Sequence, residues 1–360
     1  MGNVVSSSGP PSPPSSDGTV LLNPPLTPAG RPSSTDVSPD QYPSWKTATL
    51  ELSSNGTTEW VFFARGSSSA GHVRFVESTT GKAEVVVHVG YAAEGALDTL
   101  NVCLLAKGDD VRGVGVYTPH RIHVPRNPLY IHTVIHLPAG SSMHNSAPSH
   151  VMTTFTSNTS YHLSLPSACP LTGLNIQTSN GSILFSSPVD VKGDVTVRTS
   201  NASIKGSDMR CEALKVITSN ASIEFGRVSS RPSTSLPLAE RTRQRMEFVT
   251  SNAPVRLPSI DVPTGSVECK VESSNKPISI TFKPVETPTG PDKSHLDVRS
   301  SGSQGVLLSG LDLGEGGANK LKRETDGRIW GHVGPTSGEG SNGSIDVASS
   351  NARVGITFGP

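Results

Sequence analysis

The chain has 360 residues, 30 basic and 30 acidic side chains and no formal net charge; only 17% of it is charged, against roughly 25% in an average soluble protein. Its 35 glycines and 29 prolines make up about 18% of the chain where ~12% is usual, a composition suited to many turns and few long helices. Neutrality excludes a generally basic nucleic-acid binder and an acidic solvating chain, and the length allows two domains or one elongated one.

The N-terminus opens Met1-Gly2-Asn3-Val4-Val5-Ser6, which fits acylation of Gly2 after removal of the methionine. A single myristoyl chain binds membranes only marginally. No Lys or Arg precedes Arg31 and no Cys precedes Cys103, so the expected contact through Gly2 is weak and reversible. The first 16 residues lack the basic and apolar regions of a secretory signal. The four cysteines, Cys103, Cys169, Cys211 and Cys269, stand far apart, as free thiols of a reducing compartment do. The expected setting is cytoplasmic, with peripheral membrane contact; the alternative is the cell surface, reached by unconventional export. Residues 1–44 hold ten prolines and ten serines with almost no apolar clusters, so a disordered tail is expected there, with order beginning near Trp45.

From 45 to 150 short β-type runs are punctuated by Gly, Ser and Pro, predicting a β-rich region. Candidate strands are Leu50–Leu52, Glu59–Ala64, His72–Glu77, Ala83–Val89, Leu100–Leu105, Gly113–Tyr117 and Ile131–Leu137. His120, His123, His132 and His136 invite a metal hypothesis. No acidic residue lies in that stretch, so they read as exposed strand histidines, and no metal or other cofactor is expected.

From 151 to 360 a corner tripeptide repeats. Thr-Ser-Asn ends at Asn158, Asn180, Asn201, Asn220 and Asn252; Ser-Ser-Asn ends at Asn275 and Asn351, and a degenerate Ser300-Ser301-Gly302 lies between those two. Successive anchors are 22, 21, 19, 32, 23, 27 and 49 residues apart, the long gaps coinciding with insertions at about 229–244 and 314–343. Apolar residues alternate with period two on both sides of each corner, as in Leu214/Val216 before and Ile223/Phe225 after Asn220. A ~20-residue unit with one apolar stripe per strand cannot form a core alone, and stacking such units in register buries the stripes together. The pattern predicts an all-β fold, a β-solenoid or parallel β-helix-like stack, over an antiparallel sandwich. At the corners Asn and Gly suit positive φ, and stacked Asn side chains can bond from rung to rung.

With coils stacked in chain order, outward positions form ladders: Lys215, Glu247, Lys270 and Asp297 in one, Lys205, Glu224 and Arg256 in another. Alternating signs on adjacent strands stabilise a sheet, whereas paired acid–base catalysis needs carboxylates that converge. No nucleophile elbow, phosphate loop, dinucleotide fingerprint or HExxH is present. Gly310–Gly317 lacks the Lys-Ser/Thr of a phosphate loop, and the basic run Arg241–Arg245 reads as a solvated loop. No catalytic or metal-ligating residue is assigned. The sequons at Asn55, Asn158, Asn180, Asn201, Asn220 and Asn342 are expected to stay unmodified.

The repeated Thr-Ser-Asn-Gly/Ala-x-Ile corner, with Ile135-His136-Leu137-Pro138-Ala139-Gly140 ahead of it, resembles the adhesin-like β-solenoid families of unknown function found in bacteria and fungi. The Pro/Ser-rich tail and the insertions look most like basidiomycete members. The resemblance covers roughly 131–360 and implies a right-handed β-helix-like fold without established catalytic residues. The expected function is a non-enzymatic adhesin-like surface for binding or scaffolding, with a protein or glycan ligand. The alternative is a carbohydrate-active enzyme on a parallel β-helix.

Overall fold

The computed structural model describes residues 15–33, 40–52, 57–66, 71–119, 129–138, 150–165, 171–230, 244–262, 267–284, 294–300, 306–309, 320–323, 329–333 and 343–358. The fold is all-β, and two short 3₁₀ turns, Ser15–Asp17 and Glu94–Thr99, are the helical elements among these residues. No helix of the described residues is long and apolar enough to cross a membrane. The chain forms two compact units, an N-terminal one of 1–170 with 175–181 and a C-terminal one of 171–174 with 182–360.

The N-terminal unit contains β1 (Thr19–Leu22), β2 (Thr27–Ala29), β3 (Ser44–Leu52), β4 (Glu59–Arg65), β5 (Gly71–Glu77), β6 (Ala83–Tyr91), β7 (Asn101–Lys107), β8 (Val111–Tyr117), β9 (Leu129–Leu137), β10 (His150–Thr156) and β11 (Thr159–Leu163). They lie in two sheets, β1-β7-β8-β4-β10 and β2-β3-β6-β9-β5-β11. The seven runs read from sequence coincide with β3 to β9. Val85, Val87 and Val89 of β6 and Ile131 and Ile135 of β9 are buried, as β-branched side chains on a half-buried pleat are expected to be. The pairing is mixed: β4 runs parallel to β8 and β10 and β5 to β9 and β11, while β6 runs antiparallel to both of its neighbours, β3 and β9.

Part of the segment read as a tail is structured. β1 pairs antiparallel with β7 and β2 with β3, so a short N-terminal strap lies along the edge strand of each sheet. Asp17 anchors it. Its side chain is 2% exposed, Arg65 Nη2 lies 2.8 Å from Oδ1, and the Tyr117 hydroxyl donates to Oδ2 at 2.9 Å. The Tyr117 ring lies over Gly115, where an added Cβ would stand 2.2 Å from the ring; only glycine leaves that room.

Strand β12 (Leu171–Gln177) is divided between the units. The C-terminal unit continues with β13 (Ile183–Phe185), β14 (Val189–Asp190), β15 (Asp194–Arg198), β16 (Ile204–Cys211), β17 (Ala213–Ile217), β18 (Ile223–Ser230), β19 (Gln244–Thr250), β20 (Val255–Val262), β21 (Val267–Ser273), β22 (Ile278–Pro284), β23 (Ser294–Ser300), β24 (Val306–Ser309), β25 (Lys320–Arg323), β26 (Ile329–Val333), β27 (Gly343–Ser349) and β28 (Val354–Phe358). One sheet runs β15-β17-β19-β21-β27-β23-β26-β25, the other β13-β16-β18-β20-β22-β28-β24. From β15 to β24, and again in β27 and β28, each coil gives one strand to each sheet, and like strands stack parallel, Leu214 beside Met246 and Met246 beside Cys269. The apolar stripes are buried: Val195, Val197, Leu214, Val216, Met246, Phe248, Cys269 and Val271 from one sheet, Ile223, Phe225, Val255, Leu257, Ile278 and Ile280 from the other. Phe225 of β18 meets Phe248 of β19 edge-on, with centroids 6.3 Å apart, so the two stripes share one core.

The stacking departs from chain order at the end. β21 is followed by β27, with β23 beyond it, and β22 by β28, with β24 beyond it. The last coil therefore lies between two earlier ones. The long insertion before it supplies β25 and β26, which pair antiparallel outside β23.

Candidate binding face

The corner that sets the stack is built from three side chains with separate roles. The first residue points inward: Thr178, Thr199, Thr218, Thr250, Ser273 and Ser349 are buried. Thr218 and Thr250 each donate to the main-chain carbonyl of the Ala in the preceding corner, Ala202 and Ala221. The carbonyls of Ser157, Ser200, Ser219 and Ser251 each accept two main-chain N–H groups of the next corner; Ser251 and Asn252 both donate to Ser219 O at 3.0 Å. The Asn side chains form an exposed ladder. In the C-terminal unit Asn220 donates its amide to Asn201 at 2.7 Å, Asn252 to Asn220 at 2.8 Å, Asn275 to Asn252 at 2.7 Å and Asn351 to Asn275 at 2.7 Å. In the N-terminal unit Asn180 donates to Asn158 at 2.7 Å.

The corner does not use positive φ. Among the described residues left-handed backbone is confined to Gly18, Gly66, Gly81 and Gly108. Gly181 is required for space instead: a Cβ there would stand 1.8 Å from Thr159 O.

On the outer face of the β15-β17-β19-β21 sheet, side chains form two rows along the stack. One holds Asp194, Ala213, Arg245 and Glu268, the other Thr196, Lys215, Glu247 and Lys270. The small Ala213 leaves a dent, and the surrounding side chains enclose a groove of about 400 Å³. Its charges are arranged in pairs. Lys215 meets Glu247, and Arg245 lies 3.7 Å from Glu268. Lys270 pairs along its own strand with Glu272 at 3.2 Å. Burial and the neighbouring Glu212 raise the pKa of Asp194 at the groove's end, with Arg245 opposing them. On the other sheet Lys205 lies 3.8 Å from Glu224, and Glu224 stands in register with Arg256. Because the last coil intervenes, Lys270 stands beside Asp346 of β27 and not Asp297, which lies one strand further out.

A second cluster, which the sequence disclosed only in part, lies on the N-terminal unit. His88 of β6, His132 of β9 and His72 of β5 stand in register across three strands. His132 is stacked between the other two, with ring centroids 5.8 Å from His72 and 5.9 Å from His88. His162 approaches His72 edge-on at 6.2 Å. His132 is therefore not the exposed strand histidine expected; it is fully buried. Burial, then His72, His88 and Arg74, lower its pKa to about 4. No group of three or more His, Cys, Asp or Glu among the described residues is arranged to hold a metal ion. Period-two alternation placed His132 and His136 on one face, but strand neighbours 40 to 60 residues away carry no such signal.

Three cysteines are described, and all three are buried and outside any disulfide. Desolvation raises Cys103 to about 11 and Cys269 to about 12, so neither supplies a thiolate nucleophile near neutrality. Gly2, His120, His123, Cys169, Arg241–Arg243 and Gly310–Gly317 lie outside the described residues, and so does most of each insertion.

No protein-family model matches the chain, and no curated protein matches it either. Among solved structures it is similar to a candidate adhesin of Parabacteroides distasonis, at 10% identity and a TM-score of 0.37, over 88% of this chain and 97% of that one. A candidate adhesin of Parabacteroides merdae matches at 11% identity and a TM-score of 0.35, over 88% and 96%. A candidate cell-adhesion protein of Clostridium sporogenes matches at 8% identity and a TM-score of 0.22, over 88% and 100%.

Proposed function

We propose that the protein is a non-enzymatic, adhesin-like solenoid whose groove over Ala213 is a binding face for a polar ligand, a glycan or a peptide. The observation that carries this reading is the pairing of charges there. Glu247 is held by Lys215 and Glu268 lies beside Arg245. A glycosidase needs two carboxylates that share a bond between them, one free to protonate and one free to attack or activate water. Here Glu247 and Glu268 each lie beside a cation, which leaves Asp194 with its raised pKa as a single acid at the groove's end, and the side chains of Thr196, Lys215 and Arg245 offer hydrogen-bonding groups over a dent that a sugar or peptide side chain could enter.

The test is retention of the full chain on glycan and peptide arrays, comparing wild type with Ala213→Phe. Ala213 sits on the outer row, half-buried, so the bulky ring fills the groove and leaves the core unchanged. Wild-type retention that the variant loses is expected. Equal retention by both proteins removes the groove from the reading, and cleavage of an arrayed glycan by wild type replaces it with the enzyme alternative.

A further inference from the structure

The coil formed by β27 and β28 occupies a layer that an earlier part of the chain could fill. Corner asparagines that touch are separated by 19, 32 and 23 residues along most of the C-terminal stack, but Asn351 and Asn275 by 76. The chain leaves β22, builds the coil of β23 and β24, and only afterwards places β27 against β21 and β28 against β22. Both late coils carry the same register pattern. Leu296 and Val298 match Ile345 and Val347, and Val306 and Leu308 match Val354 and Ile356.

Apolar pattern alone therefore does not distinguish them. Their corner residues differ. Asn351 donates its amide to Asn275 and its main-chain N–H to Ser274 O, while the corner at Ser300-Ser301-Gly302 has no amide to offer. The last coil also buries Ile345, Val347, Val354 and Ile356 and stacks Phe358 on Phe282 at 5.5 Å. It behaves as a tethered ligand for a slot between two strand pairs.

Val333 of β26 and Gly343 of β27 both stand in register with Ser294, one on either side of β23, so the chain between them bridges two strand spacings, roughly 10 Å. Residues 334–342 number nine, and nine residues reach ~30 Å when extended. A slot, a strand pair that fits it and a connection with enough residues to reach a neighbouring copy are what exchange of identical elements between copies requires.

We propose that the slot is an interaction surface for a second copy of this chain, which enters it with its own β27–β28 coil and links the two molecules by exchange. The reading does not depend on the groove over Ala213, and the test involves no array ligand. Ser279 of β22 and Gly355 of β28 are in register; Ser279 is exposed, and a Cβ at Gly355 meets its nearest atom at 3.8 Å. Full-length Ser279→Cys and full-length Gly355→Cys are mixed at high concentration, held just below the unfolding transition, cooled and oxidised.

Exchange yields a covalent heterodimer joined through positions 279 and 355, identified by mass spectrometry of the linked peptides. Its yield rises with concentration and with holding time. The double variant, oxidised beforehand as a monomer, closes the bond within one chain and gives no dimer. The control mixture pairs Ser279→Cys with Leu184→Cys, an exposed position elsewhere on the same sheet. A heterodimer yield no greater than in that control overturns the proposal. Should Gly355→Cys not fold, a fluorescent peptide of residues 343–358 is added in excess to the wild-type chain through the same cycle. Its stable incorporation, absent for a scrambled peptide, supports the proposal; no incorporation overturns it.

Discussion

Asp17 shows how little of a buried polar contact is written near the residue that makes it. It sits in a Pro/Ser-rich stretch whose composition averages to disorder, yet its carboxylate is withdrawn from water and held by Arg65 and Tyr117. The Tyr117 hydroxyl is driven well above its usual range by burial and then by that carboxylate, so it remains a donor. Composition is a sum over many residues and cannot register one ion pair that closes a loop of 48 residues. Charge-assisted hydrogen bonds of this kind contribute about 1.5–3 kcal/mol each, and a buried group left without its partner costs a comparable amount. Asp17→Asn keeps the shape and removes the charge; urea unfolding should show a loss of about 1–3 kcal/mol, with amides of β1 and β7 becoming less protected from hydrogen exchange. Unchanged protection there would mean that the strap does not depend on this anchor.

At the scale of strands and coils the sequence was far more legible. Each corner repeats the same three roles, so Asn201, Asn220, Asn252 and Asn275 announce a common phase, and period-two alternation around them identifies the buried stripe. The order of the last two coils was not legible from that stripe, because the coils ending at Gly302 and at Asn351 present equivalent apolar residues. The corner at Gly302 differs in carrying no side-chain amide, and the coil of β23 and β24 lies beyond the one that bonds Asn275 through Asn351. The groove over Ala213 was legible as alternating charge and illegible as a cavity, since a dent depends on which small residue falls beside which long ones. Coil order also changes what a charge reversal does. Lys270 stands between Glu247 and Asp346 and beside Glu272, so Lys270→Glu sets four acids together. Cross-strand charge pairs are worth roughly 0.2–1 kcal/mol each, and reversing the middle of three should cost about 0.5–2 kcal/mol. A lower melting temperature for Lys270→Glu, with Lys270→Gln intermediate, is the expected result; equal melting of all three proteins would show that the row is not stacked this way.

For the whole molecule, the two units should answer acid differently. His132 in the N-terminal unit faces His72 and Arg74 from β5 and His88 from β6, with His136 and its register partner Glu84 further along the face. Its pKa falls from 6.5 to about 4 on folding, and His88 is lowered as well, by burial and then by His136. The unfolded chain therefore binds these protons more readily than the folded one. Stability is complete above the unfolded value and is lost as pH falls from about 6.5 towards 4, on the order of 3 kcal/mol for His132 alone. In the C-terminal unit the shift at Asp194 has the opposite sense: its folded pKa is raised, so acid favours the folded form at that site. Hydrogen exchange at pH 7 and pH 5 should show opening of the N-terminal unit growing at the lower pH while amides of β17 to β21 stay protected. His132→Asn should flatten that dependence. Equal acid sensitivity in wild type and variant would remove the imidazole ladder as its cause.

The inserted last coil also has a mechanical meaning. A coil at the free end of a parallel stack can be peeled from a single neighbour, one ladder bond after another. Here the final strands of the chain lie in the interior of the stack, hydrogen-bonded to β21 and β22 on one side and to β23 and β24 on the other. Tension applied to β28 is thus carried by two interfaces loaded together, one on each side of the coil.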